Sequence, residues 1–375
     1  MNKRCPMYCC VMMSALLLLL TTIAYTQPTP SQPTTYDVGR VRVRAEPNRY
    51  AEVVTTLEPA TPLTVIGKSS GGLWLNITLD EARSGWVAIE LITHNLDLAA
   101  LAVTYDQGAN FAGETLPPRI AEHVLRIYER GQALGKRPGI FSKIGDSITV
   151  APQMYTPLGD GRYYLGDYEY LQNALDYFSV TPAGDATHNQ ANAFLNPSLA
   201  AGIGWTSAAL YDVDFADPER CLPDETPLVC EYRVLQPSVA LIMIGTNDLA
   251  WQSADGYQSN LDGILAYSIE QGVIPVVSTL PYREGYADEW ALFNQAIIAS
   301  ADKFAVPLWD YAAALDPLVN FGLDTDGVHP SIPPMGTDGA ADFHDYNLPY
   351  GYVMRNLTAL QQLDLVWRVI AMQPL

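Results

Sequence analysis

From residue 115 onward, short uninterrupted apolar runs alternate with longer amphipathic ones, and that alternation restricts the chain more than any other feature. GIFSKIGDS, SVALIMIGTND, VIPVVSTLP and VPLWDY read as strands, too short for helices and without the polar alternation of a sheet face turned to water. GYQSNLDGILAYSIEQG, DEWALFNQAIIASADKFA and LTALQQLDLVWRVI read as helices. So does the preceding PPRIAEHVLRIYERGQALG, where Ile120, Val124 and Ile127 recur at steps of three and four. This order predicts a parallel sheet with helices on both faces, a three-layer α/β domain. Ligands of such sheets bind where the carboxyl ends of the strands open into loops, so residues just past each strand are the candidates for chemistry.

Three of these places carry reactive residue types. Gly145-Asp146-Ser147 follows the first strand, Gly245-Thr246-Asn247-Asp248 follows another, and Asp326-Gly327-Val328-His329 lies in a loop before Pro330. A hydroxyl becomes a nucleophile near neutral pH when an imidazole takes its proton, and a carboxylate orients and stabilises the imidazolium. Ser147, His329 and Asp326 supply that set. Acyl transfer also develops an oxyanion, for which the side-chain amide of Asn247 and the backbone N–H groups of Gly204, within AGIGWTSA, and of Ser147 are candidate donors. Each motif alone also fits an ordinary tight turn, a capped helix start or a loop.

In combination the motifs resemble the SGNH, or GDSL-like, hydrolase family, whose Ser, Gly, Asn and late Asp-x-x-His blocks occur in this order on a flavodoxin-like α/β sheet. The resemblance covers residues 115–375. It implies Ser147 as nucleophile, His329 as general base and then acid, Asp326 as its orienting partner, and Gly204 and Asn247 as oxyanion donors beside the Ser147 amide. Gly204 is taken over Gly202 because GWTSA parallels the family's Gly-Asp-Thr-Ser run, with Trp205 at the usual Asp position. The implied activity is hydrolysis of carboxylic esters without cofactor or metal. Acetyl or short acyl groups on polysaccharide, cell-wall material or lipid are the guessed substrates. A non-catalytic surface binding protein on the same scaffold and an acyltransferase are the alternatives. The aromatic stretch MYTPLGDGRYYLGDYEYLQNALDYF is expected to cover the site.

Upstream, the pattern changes. Residues 27–35, QPTPSQPTT, read as an extended linker, and between Tyr36 and Ile92 short β-favouring runs are separated by Pro, Gly, Asn and Ser turns. In Val41-Arg42-Val43-Arg44 the alternation puts valines on one face and arginines on the other. VRVRAEPN and GWVAIELI resemble the opening and closing segments of a bacterial SH3-like domain, a small all-β barrel expected over 36–93, with 94–114 as connector. The resemblance implies a cell-wall or peptide ligand. Trp74, Trp86 and Tyr50 either line a groove for it or fill the barrel core.

The N-terminus reads as a secretory signal over residues 1–26: a basic Lys3-Arg4, an apolar run from Val11 to Ala24, and the helix-breaking Gln27-Pro28. The apolar run is shorter than the ~20 residues that span a bilayer, so an uncleaved anchor is the lesser expectation and an extracytoplasmic location the main one. Cys221 and Cys230 would then close CLPDETPLVC as a disulfide. The balance of 21 basic against 41 acidic residues, net −20, argues against nucleic acid and anionic lipid surfaces. His94, His123, His188 and His344 lack a motif and read as structural or surface residues, with His344 kept as a neighbour of the site. Asp324-Thr325-Asp326-Gly327 lacks the further ligands of a calcium loop. No feature fixes an oligomeric state.

Overall fold

The computed structural model describes residues 32–35, 40–47, 51–69, 74–80, 83–98, 100–105, 115–185 and 188–371. The expected signal over 1–26 and most of the linker lie outside them, as does Tyr50.

The small N-terminal domain is all-β. A two-stranded ribbon pairs β1 (Thr34–Thr35) with β7 (Ile92–Thr93), and a six-stranded sheet runs β3 (Val53–Leu57), β2 (Val41–Arg44), β6 (Ser84–Ala88), β5 (Trp74–Thr78), β4 (Val65–Ser69), β8 (Val103–Tyr105). Val41 and Val43 are buried with Leu63, Leu75, Ile77, Val87 and Ile92, while Arg42 points to solvent, as the alternation requires. The domain reaches past both ends expected from the sequence. Thr34 and Thr35 pair with Thr93 and Ile92 although they belong to the linker, and Val103–Tyr105 of the connector adds an edge strand parallel to β4. Neither two nor three residues carry a readable period, so only the pairing partner defines them. Trp86 is buried at 5% exposure but not in the barrel core: its neighbour Val87 enters that core, and Trp86 lies on the opposite face of the sheet, paired with Arg44 and Asn76; Trp74 is half-buried.

The α/β domain holds a four-stranded parallel sheet in the order β12 (Leu308–Trp309), β11 (Ile274–Ser278), β10 (Pro237–Met243), β9 (Arg137–Gly145). All seven residues of β10 and all five of β11 are buried, as expected for strands covered on both faces. Beyond β9 a further strand position is reduced to one parallel bridge, Gly145 to Ala201. This bridge brings the Gly204 loop beside the end of β9. The helices are α1 (Pro118–Ala133), the short α2 (Ser147–Val150) and α3 (Thr156–Gly159), α4 (Gln172–Ser179), α5 (Pro227–Leu235), α6 (Ala254–Glu270), α7 (Ala287–Phe304), α8 (Tyr311–Leu315) and α9 (Gly351–Ala371). Ile120, Val124 and Ile127 of α1 are buried, as their spacing predicts. Phe141 of β9 is the hub of an aromatic cluster, edge-on to Tyr155, Phe178 and Phe194 at centroid distances of 5.7, 5.7 and 4.9 Å. Among the described residues no helix is long and apolar enough to cross a membrane.

Cys221 and Cys230 form a disulfide with Cα atoms 5.3 Å apart. Glu225, inside the closed loop, pairs with Arg233, and Arg220 pairs with Asp185.

Candidate active site

The turn after β9 puts Ser147 at the first position of α2. Asp146 caps this helix, its Oδ1 accepting the Ile148 N–H at 3.0 Å. Gly145 is required there, since a Cβ would lie 2.2 Å from Thr149 Oγ1 and 2.4 Å from the Met243 carbonyl. At a helix start the first N–H groups have no partner within the helix, which leaves the Ser147 amide available to an anion.

His329 arrives on a loop closed by a bridge between Leu323 and Pro330 and by the Asp324 N–H on the His329 carbonyl, 2.8 Å. Within it, Asp326 Oδ1 accepts the N–H groups of Val328 and His329 at 3.0 and 2.9 Å, and Oδ2 accepts from His329 Nδ1 at 2.6 Å. Gly327 makes the turn at φ +68°, in the left-handed region that glycine enters without strain. With Nδ1 donating to the carboxylate, Nε2 is the acceptor, and Ser147 Oγ lies 2.9 Å from it. Burial pushes the Asp326 carboxyl up, but the bonds from the His329 and Val328 N–H groups and the imidazole outweigh this and hold it below the usual carboxylate range.

Gly204 and Asn247 border the same cleft as Ser147, Asp326 and His329. The cleft has a volume of ≈ 660 Å³ and an apolar rim that includes Val150, Ile203 and Ile332. Asn247 donates one side-chain N–H to the Trp205 carbonyl at 2.9 Å, which ties it to the Gly204 loop and leaves its second N–H available. Gly204 stands at φ +76° and, among the described residues, no acceptor takes its N–H; the Gly202 N–H already bonds the Gly145 carbonyl at 3.2 Å. The structure thus brings together every residue of the expected site, and of the two glycines it leaves Gly204 with the free donor.

Sequence reasoning missed the residues behind this arrangement. Asp248 is buried and accepts both the N–H and the hydroxyl of Ser207, at 2.9 and 2.5 Å, which clamps the Asn247 turn to the Gly204 loop from behind. Burial raises its carboxyl against these bonds. Asp146 is fully buried, and burial raises its carboxyl to about 6 despite the Ile148 N–H and the charge of Arg355. The presence of Asp in both motifs is visible in the sequence, but these partners are not. The stretch from Met154 to Phe178 does not border the cleft, contrary to expectation: α4 packs on β9 and α9, α3 packs on the turn Gly336–Ala341, and Tyr155 and Phe178 join the core. His344 is also placed elsewhere, stacked on Tyr164 at 3.7 Å and bonded to Asp342 at 2.6 Å, beside a different cleft. Among the described residues Cys221, Glu225 and Cys230 form the single cluster of metal-ligand types, and the disulfide removes both thiols from it.

The model of the GDSL-like lipase/acylhydrolase family matches residues 143–332, which contain all four blocks of this site. The chain belongs to that family. It is accordingly an ester-hydrolysing enzyme of the SGNH type, and its α/β domain is preceded by an SH3-like domain, for residues 39–93 match the bacterial SH3 model. Solved structures similar to this SGNH hydrolase include a GDSL-like lipase from Bacteroides thetaiotaomicron, 14% identical over 65% of this chain and 98% of its own with a TM-score of 0.35. A carbohydrate esterase family 3 protein from Talaromyces cellulolyticus is 16% identical over 60% and 97%, TM-score 0.38. An acetyl-xylooligosaccharide esterase from Geobacillus Stearmophilus, crystallised as a mutant, is 18% identical over 60% and 93%, TM-score 0.36. Among curated proteins none matches the chain.

Proposed function

We propose that this enzyme is an exported serine esterase that acts through an acyl-enzyme on Ser147. The observation that carries the reading is the continuous chain Ser147 Oγ, His329 Nε2, His329 Nδ1, Asp326 Oδ2, with spacings of 2.9 and 2.6 Å. In the first half-reaction Ser147 Oγ bonds to the ester carbonyl carbon while its proton passes to Nε2. The carbonyl oxygen, now negative, is met by the N–H groups of Ser147 and Gly204 and the free amide hydrogen of Asn247; each such donor gives ~3 to 4 kcal/mol in the transition state. His329 then returns the proton to the leaving alcohol as the C–O bond breaks. Water repeats the sequence in the second half-reaction, freeing the acid and restoring the serine hydroxyl.

Acetyl or other short acyl groups on polysaccharide or cell-wall material are the proposed substrates, with the SH3-like domain holding the enzyme at that polymer. The apolar run from Val11 to Ala24 and the disulfide, a feature of oxidising compartments, support export. The open cleft favours catalysis over the binding-protein alternative, since the Ser147 hydroxyl already sits on a base at its wall.

The test compares the purified protein with Ser147→Ala and His329→Ala on p-nitrophenyl acetate and butyrate and with a fluorophosphonate probe. Turnover should fall by about 10³-fold or more in both variants, and labelling should vanish with Ser147. Unlabelled wild type would refute the nucleophile. Retention of the wild-type protein on insoluble peptidoglycan checks the small domain, and equal recovery in the supernatant would refute its anchoring role.

A further inference from the structure

One loop reaches both walls of the cleft. After β11 the chain runs through Arg283 and Glu284 before entering α7. Arg283 Nη1 donates to the Thr246 carbonyl, and its guanidinium lies 4.9 Å over the Tyr286 ring. Glu284 gives its backbone N–H to the Gly327 carbonyl at 2.9 Å. The first contact touches the turn that carries Asn247; the second touches the turn that carries His329.

The Thr246 carbonyl belongs to the same peptide unit as the Asn247 N–H. Whatever holds that oxygen sets the plane from which the Asn247 side chain leaves the backbone. A guanidinium suits the task, because it is planar, permanently charged and directional, and its bond to a carbonyl is charge-assisted. Among the described residues no carboxylate forms an ion pair with Arg283, so its donors are not drawn away from Thr246. The Tyr286 ring restricts the guanidinium to one position over its face. Asn247 is held from the other side by the Trp205 carbonyl, so its amide stands between two anchors.

We propose that Arg283 is a positioning residue, which fixes the Thr246–Asn247 peptide and thereby aims the Asn247 amide at the oxyanion. It does not touch the reacting atoms. The inference rests on the esterase reading above, and its test is a double-mutant cycle between Arg283→Ala and Asn247→Ala on p-nitrophenyl acetate, with kcat and KM measured separately and thermal unfolding recorded for each variant.

Asn247→Ala should lower kcat roughly 10²-fold as one oxyanion donor is lost. Arg283→Ala should lower kcat by about 10-fold or more with KM within about twofold, since small misplacements of a catalytic group are costly. In the Asn247→Ala background the Arg283 substitution should change kcat by less than about twofold, because the group it aims is absent. Arg283→Lys should recover part of the loss by restoring a charged donor. If Arg283→Ala does not fold, Arg283→Gln, which keeps the stem over Tyr286, carries the same cycle. Undiminished kcat in the Arg283 variants, or a full multiplicative loss in the double variant, would overturn the inference while leaving the esterase reading intact. Undiminished kcat in Asn247→Ala alone would overturn the oxyanion assignment and this inference with it.

Discussion

The Gly202 N–H bonds the Gly145 carbonyl at 3.2 Å, extending the sheet by one rung beside the nucleophile's strand. Gly204, two residues on, is released from that rung and turns at φ +76° with open space where a Cβ would stand. The two glycines therefore fail differently when replaced. Gly204→Ala meets no neighbour but strains the backbone by roughly 1 kcal/mol and rotates the N–H; kcat should fall on the order of 10-fold with a small change in Tm. Gly202→Ala sets a Cβ 2.3 Å from the Trp205 ring and should lower Tm markedly. Parallel unfolding and kinetic measurements decide, and equal kcat for wild type and Gly204→Ala would remove that amide from the oxyanion site.

Asp326 holds the imidazole with one oxygen and its own turn with the other. Asp326→Asn keeps the turn's acceptor but offers the ring a donor in place of a charge. We expect kcat to drop on the order of 10³-fold with KM nearly unchanged. Because the carboxyl is held below its usual range, no activity step in the wild type should trace to Asp326 above pH 4. A variant with more than a tenth of wild-type kcat would show the carboxylate to be dispensable.

Asp146 gives a pH signature of a different sign. Its folded value, about 6, exceeds the ordinary carboxyl value of 3.8, so the stability it contributes is fully present below 3.8 and is lost as pH rises through 6. Asp146→Asn cannot ionise, and it should flatten the fall in unfolding free energy between pH 5 and pH 8. About one pH unit of that fall lies inside this window, so the difference is on the order of 1 kcal/mol. Urea titrations at the two pH values measure it, and identical pH dependence in both proteins would refute the burial argument.

The disulfide closes a loop with a sequence separation of 9, for which chain entropy gives about 2 to 3 kcal/mol. Replacing both Cys221 and Cys230 by Ser, or reducing the protein, should lower Tm by several degrees and leave kcat on soluble esters unchanged. The cleft takes no residue from this loop. A Tm that does not move would mean that the Arg233–Glu225 and Arg220–Asp185 pairs hold the loop alone.

The sheet was legible because β9, β10 and β11 are apolar runs bounded by loops, and α1, α6, α7 and α9 carry helical periods long enough to read. The chemistry was legible because Ser147, Asn247, Asp326 and His329 sit in short motifs just beyond those elements. What stayed hidden is non-local. The Ala201 rung is a single bridge, Val103–Tyr105 is a strand only because β4 lies beside it, and the bonds from Ser207 to Asp248 and from Arg283 to Thr246 join residues with no period between them. The aromatic stretch after Ser147 misled for a related reason. A run of tyrosines suits a lid or a core equally well, and Phe141 decides for the core by offering Tyr155 and Phe178 a ring to pack on.

His329 and Asp326 are three positions apart, whereas Ser147 meets the ring across 182. The acid–base half is thus assembled by a single turn, and the nucleophile, at the start of α2, joins it across the seam between α2 and the loop that Leu323 and Pro330 close. Warming or mild denaturant strains the two halves unequally: the turn can keep its internal bonds after the seam has parted. Inactivation would then run ahead of global melting, and thermal endurance in this enzyme would be gained by stitching that seam rather than by reinforcing the core.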